Sequence, residues 1–217
     1  EEFSFAKGFF WSPEGDYIAY YKFDESKVAE FSMDMYGTGL YPTQDVFKYP
    51  KAGEDNSEVE VWVYQLNEKK NIQVLKDAEY EYIPRIKWTK QNESLCVFSM
   101  NRLQNHLVLN KVNAATGEST VWYEEKDAAY VEISDDIRFL DDGSIIWTSD
   151  MSGFNHIYLI DSKGKVKRQI TKGEWDVTSF YGINEEDGTL YYQSAEVHAT
   201  ERNVYSISIK GKGKKNL

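Results

Sequence analysis

Apolar and polar positions alternate along this chain in short runs, and the runs return in a fixed order. A strand-turn-strand phrase occurs first as Phe9-Phe10-Trp11, a polar Ser12-Pro13-Glu14-Gly15 turn, and then Tyr17 to Tyr20. It returns at Arg85-Ile86-Lys87-Trp88 with Leu95 to Phe98, at Ile137 to Leu140 with Ile145 to Trp147, and at Phe180 to Ile183 with Leu190 to Tyr192. Taking Trp11, Trp88, Phe139 and Ile183 as equivalent gives separations of 77, 51 and 44 residues. A second landmark follows each phrase, at Glu60–Leu66, His106–Val112, His156–Ser162 and Asn203–Ile209, with separations of 46, 50 and 47. These landmarks alternate β-branched and aromatic residues, as a strand with one buried face does. Glu14-Gly15, Asp142-Gly143 and Asp187-Gly188 supply the positive φ that tight hairpins need.

Short strands, four to a unit, repeating every 40 to 50 residues or so, predict propeller blades. The expected fold is all-β: a partial β-propeller of about four four-stranded antiparallel blades, forming one domain over residues 1–217. The blade-like units are expected at about 1–76, 77–125, 126–173 and 174–217. The first unit is swollen, with 49 residues between its two landmarks against 18, 17 and 20 in the others. About thirty residues are therefore inserted within 24–58, a stretch rich in Tyr, Met and Phe. A loop so long and apolar should pack on its own propeller or on a partner.

Composition narrows the picture further. Aromatics make up 15% of the 217 residues, including 16 Tyr and 6 Trp, which suits sheet faces better than a helical bundle. A net charge of −11 disfavours a nucleic-acid groove, and the basic run from Lys210 to Lys215 reads as a solvated terminal strand. Cys96 is the single cysteine, so no internal disulfide can form. No apolar run is long enough to span a bilayer. The chain opens on Glu1-Glu2-Phe3 without an initiator Met, so it reads as a segment of a longer protein with any targeting signal elsewhere.

Candidate chemistry is sparse. There is no Gly-x-Ser-x-Gly elbow, no Gly-rich phosphate loop and no His or Cys cluster with metal-ligand spacing, so no catalytic residue, metal or cofactor is expected. His106 and His156 start equivalent strands and read as structural, and His198 lies in a polar loop. The adjacent carboxylates Glu1 and Glu2 remain. Near a propeller mouth, such a pair could grip a ligand ammonium through charge-assisted hydrogen bonds.

Several strings resemble the propeller of the dipeptidyl peptidase IV family: Glu1-Glu2-Phe3-Ser4-Phe5, Trp11-Ser12-Pro13, Tyr49-Pro50-Lys51-Ala52-Gly53-Glu54-Asp55-Asn56, and Thr171-Lys172-Gly173-Glu174-Trp175-Asp176-Val177. The likeness runs over essentially the whole chain and is closest in flavour to bacterial members. It implies an eight-bladed propeller capping a separate α/β-hydrolase domain with a Ser-Asp-His triad, in a serine exopeptidase that releases N-terminal dipeptides with Pro or Ala second. It further implies that Glu1 and Glu2 bind the free α-amino group of a peptide substrate. The insert, with Tyr36, Leu40, Tyr41, Phe47 and Tyr49, would match an arm that helps form a homodimer. A periplasmic or cell-surface location follows from the family alone. The chain departs from some relatives at Val131-Glu132-Ile133, where they carry an aromatic flanked by arginines. The competing reading is a non-enzymatic, TolB-like propeller serving as a protein-interaction scaffold.

Overall fold

A computed structural model describes residue 3, residues 7–76 and residues 79–217. Among these residues there is no helix, and the strands form four successive four-stranded antiparallel sheets with one two-stranded hairpin. The first sheet contains β1 (Phe9–Trp11) and β2 (Tyr17–Asp24). The hairpin β3 (Glu30–Met35) and β4 (Thr43–Lys48) then leaves the sheet, which resumes with β5 (Glu58–Gln65) and β6 (Lys70–Val74). β7 (Tyr82–Trp88), β8 (Ser94–Met100), β9 (His106–Asn113) and β10 (Ser119–Lys126) make the second sheet. β11 (Arg138–Phe139), β12 (Ile145–Ser149), β13 (His156–Ile160) and β14 (Val166–Gln169) make the third. β15 (Val177–Asn184), β16 (Thr189–Ser194), β17 (Asn203–Ser208) and β18 (Lys215–Asn216) make the fourth. Every sheet is a simple meander, so the expected partial β-propeller is the observed fold. The recurring phrase forms the first two strands of each sheet, and the second landmark falls on the third.

The period-2 alternation of the strands explains how the sheets stack. On β8, Leu95 and Val97 pack toward the first sheet with Val61 and Val63. Their neighbours Cys96, Phe98 and Met100 pack the other way, against Ile145 and Trp147 of the third. On β12, Ile146 joins Leu190 and Tyr192 of the fourth sheet. Strands between two neighbours are therefore apolar on both faces, and all seven residues of β8 and all five of β12 and β13 are buried. The first and fourth sheets leave apolar residues exposed, including Phe9, Trp11, Tyr181 and Tyr191. A buried carboxylate stitches the second sheet to the third. Glu125 accepts hydrogen bonds from Trp147 Nε1 at 2.9 Å, Ser149 Oγ at 2.5 Å and Tyr123 Oη at 3.3 Å. Burial pushes its pKa up, against the lowering effect of those three bonds.

Three glycines at the last turn of successive sheets share a second contact. Gly117, Gly164 and Gly211 have φ of +80°, +81° and +69° and stand 47 residues apart. A Cβ on Gly117 would lie 2.6 Å from Ile72 Cγ2, one on Gly164 would lie 1.5 Å from the Trp122 carbonyl oxygen, and one on Gly211 would lie 3.1 Å from the Ile170 carbonyl oxygen. Each turn thus seats against the outermost strand of the preceding sheet, or the residue just past it, and at Gly164 the approach leaves no room for any side chain. At the equivalent turn of the first sheet Lys69 takes the left-handed conformation instead, with φ 51°.

Candidate functional site

Glu1 and Glu2 lie outside the described residues. Phe3, the residue after them, is described, and two residues of β7 hold it. Arg85 Nη1 donates to the Phe3 carbonyl at 2.6 Å, and the Phe3 ring packs edge-on against Tyr82 with centroids 5.4 Å apart. The local sequence explains the geometry. The pairing register of β7 with β8 shifts between Tyr82 and Arg85, around Pro84. Proline has no N–H for the ladder and is tolerated at bulges, and a bulge re-aims the side chains beside it.

Arg85 is fixed from the far side as well. Its Nε lies 2.9 and 3.1 Å from the two Asp135 carboxylate oxygens, and its Nη2 lies 2.9 Å from Oδ2. Its Nη1 also donates to the Pro84 carbonyl at 2.7 Å. Lys87 reaches the same aspartate, with Nζ 2.9 Å from Oδ1 and 3.0 Å from the backbone oxygen. These hydrogen bonds, those from Arg85 foremost, hold the Asp135 pKa down to about 2 despite partial burial. The guanidinium is largely committed to protein acceptors, and through them Arg85 fixes the backbone at Phe3. It ties the segment after the paired carboxylates to the second sheet and to the loop before the third.

A cavity of about 210 Å3 opens beside Phe3, walled by Phe23, Val28, Pro50, Tyr82 and Ile83. Its polar rim explains the Tyr49–Asn56 string. Asn56 Nδ2 donates to Glu81 Oε1 at 2.9 Å and to Tyr82 Oη at 3.1 Å. Arg102 bonds the same Glu81 oxygen at 2.9 Å and the Glu54 carbonyl at 3.1 Å. Gly53, with φ +89°, turns the chain between them. The string is thus a clasp joining the base of the insert to the second sheet.

The insert itself projects away from the sheets. All six residues of β4 are exposed, and Tyr36, Leu40 and Tyr41 at the tip are 82%, 97% and 86% exposed. Phe31, Phe47 and Tyr49 form a small aromatic cluster at its root, with Lys51 Nζ 5.2 Å from the Phe31 centroid.

Residues 1–217 match the family model described as the dipeptidyl peptidase IV (DPP IV) N-terminal region. The chain belongs to that family. The crystal structure of Porphyromonas gingivalis dipeptidyl peptidase 4 superposes on this DPP IV propeller with a TM-score of 0.91 and 37% identity, covering 100% of this chain and 31% of that one. Dipeptidyl peptidase 4 of Arthroderma otae is 28% identical over 212 residues, covering 91% of this chain and 27% of the relative. Dipeptidyl aminopeptidase B of Saccharomyces cerevisiae is 27% identical over 237 residues, covering 97% and 28%. The chain therefore spans less than a third of the relatives it matches.

Within this DPP IV propeller the histidines have local partners. Buried His156 lies 3.1 Å from Thr171 Oγ1 and 3.0 Å from the Gly173 carbonyl, His106 pairs with Glu124, and His198 meets Thr200. No group of three His, Cys, Asp or Glu side chains among the described residues could hold a metal ion, and none of the helices there could cross a membrane, since the described residues form none. Sequence reading missed Tyr82, Arg85, Lys87 and Asp135. The available signal was Pro84-Arg85 within a largely apolar strand, which marks a bulge with a half-buried cation beside it.

Proposed function

We propose that this chain is the non-catalytic propeller segment of a serine exopeptidase that releases N-terminal dipeptides with Pro or Ala at the second position. In this reading the propeller gates access to an α/β-hydrolase domain of the same protein. Glu1 and Glu2 anchor the substrate's free α-amino group, at a fixed distance from a nucleophile outside this segment. The insert, through Tyr36, Leu40, Tyr41, Phe47 and Tyr49, meets a second copy in a homodimer, and the protein works in the periplasm or at the cell surface. The observation that carries the anchoring role is the Arg85 bond to the Phe3 carbonyl, one residue past the carboxylate pair. Family membership and the names of the relatives support the rest.

Glu2→Gln in the full-length protein tests the reading. It keeps the shape of the side chain and removes the charge that an ammonium would pair with. Release of a chromogenic Gly-Pro dipeptide should fall by about 100-fold or more in kcat/KM, as loss of a charge-assisted anchor with its positioning implies. The melting temperature should not move. Unchanged kinetics would sink the anchoring role.

A further inference from the structure

The charge of this chain is unevenly distributed. Residues 162–173 carry five Lys or Arg and no carboxylate, and residues 203–217 carry four and none. Sixteen cations and all 36 carboxylates occupy the rest of the chain. The fold brings the two basic stretches together at the outer edge of the third and fourth sheets. Arg168 Nη1 donates to the Lys210 carbonyl at 3.3 Å, and the Gly211 turn lies against Ile170. Between them lies a cleft of about 410 Å3, lined by Arg168, Lys172, Lys210, Lys212 and Lys214, with Trp175 and Tyr192 on its wall. Lys214 pairs with Glu196, whereas the ammonium groups of Lys172, Lys210 and Lys212 have no carboxylate partner among the described residues.

The rest of the lining is already committed within the protein: Gln169 Nε2 donates to Ser152 Oγ at 3.1 Å, and Thr171 Oγ1 meets His156 Nδ1 and the Ile157 N–H. The unpaired cations are therefore the groups of this cleft left to meet a ligand.

We propose that this cleft is an oxyanion-binding site that takes a phosphate or sulfate group on a compact ligand. Cations without carboxylate partners around a concave pocket supply the charge-assisted donors such a group needs. The size of the cleft falls in the range of small-ligand pockets. The strongly acidic remainder of the chain repels extended polyanions and anionic membranes, which favours a small ligand over either.

The test is isothermal titration of the full-length protein at fixed ionic strength with inorganic phosphate, glucose 6-phosphate and glucose. Both phosphates should bind and glucose should not. Tighter binding of glucose 6-phosphate assigns the site to a phosphorylated organic body, and equal affinities assign it to free phosphate. The double variant Arg168→Ala, Lys212→Ala should lose at least about tenfold in affinity for either, at an unchanged melting temperature and unchanged dipeptide release. Absence of phosphate binding, or equal binding by the double variant, would overturn the site.

Discussion

The second and third sheets and the projecting hairpin are all built from short antiparallel strands, and they place their apolar residues in opposite settings. Every residue of β8, β12 and β13 is buried, whereas every residue of β4 is exposed, although β4 carries Val46 and Phe47. A sheet packed on both faces gains stability from nearly each side chain it orders. A hairpin standing in solvent gains little beyond its own ladder and aromatic cluster. Stability therefore resides in the stacked sheets, and the apolar surface of the hairpin needs a separate account. Covering by a second copy, as proposed above, supplies one.

Four variants separate the two regions. Trp147→Ala empties the fully buried space between β8 and β12 and strands Glu125, and it should cost about 3–5 kcal/mol by urea denaturation. Gly164→Ala should cost about 1–3 kcal/mol, because the new Cβ has neither a permitted φ nor room beside the Trp122 carbonyl. The third concerns the Arg85 cluster. The Asp135 pKa is depressed in the folded state, so its contribution is fully present above the ordinary value of 3.8 and is lost as pH falls through about 2. Its side chain is 59% exposed, so screening limits the effect. Asp135→Asn should therefore lower stability by about 1 kcal/mol or less at neutral pH, with the gap from the parent closing in acid. The smallest change in stability belongs to the hairpin tip. Replacing Tyr36, Leu40 and Tyr41 with Ser should move the unfolding free energy by about 0.5 kcal/mol or less. The same variant should sediment as a monomer if the tip holds two copies together. A dimer that survives the triple change would return the exposed residues to mere surface.

The sequence made the sheets legible because their signals are local. Alternation, Asp-Gly and Glu-Gly turns and a period near 47 residues lie within single units, and they sufficed to expect four-stranded meanders. The resemblance singled out the Tyr49–Asn56 string, but its reason is non-local: Asn56 reaches Glu81 and Tyr82, and Glu54 reaches Arg102, 25 or more residues away along the chain. Arg85 and Asp135 stand 50 residues apart, about one repeat, but the repeat alone does not say that a cation of one unit meets a carboxylate of the next. The contacts of Gly117 and Gly164 with the preceding sheet belong to the stacked structure and leave no local signal. Glu1 and Glu2 stand out in sequence and lie outside the described residues, whereas Phe3 beside them is held by Arg85 and Tyr82, contacts that no local pattern marks.

The three glycine-tipped turns give the stack a direction. Gly117, Gly164 and Gly211 each dock on residues that precede them in the chain, never on residues that follow. A ribosome delivers the socket before the plug every time, so a growing chain can add one wedge after another to a finished face. Assembly of this kind runs with translation, and no wedge has to wait for an unmade successor to set its angle.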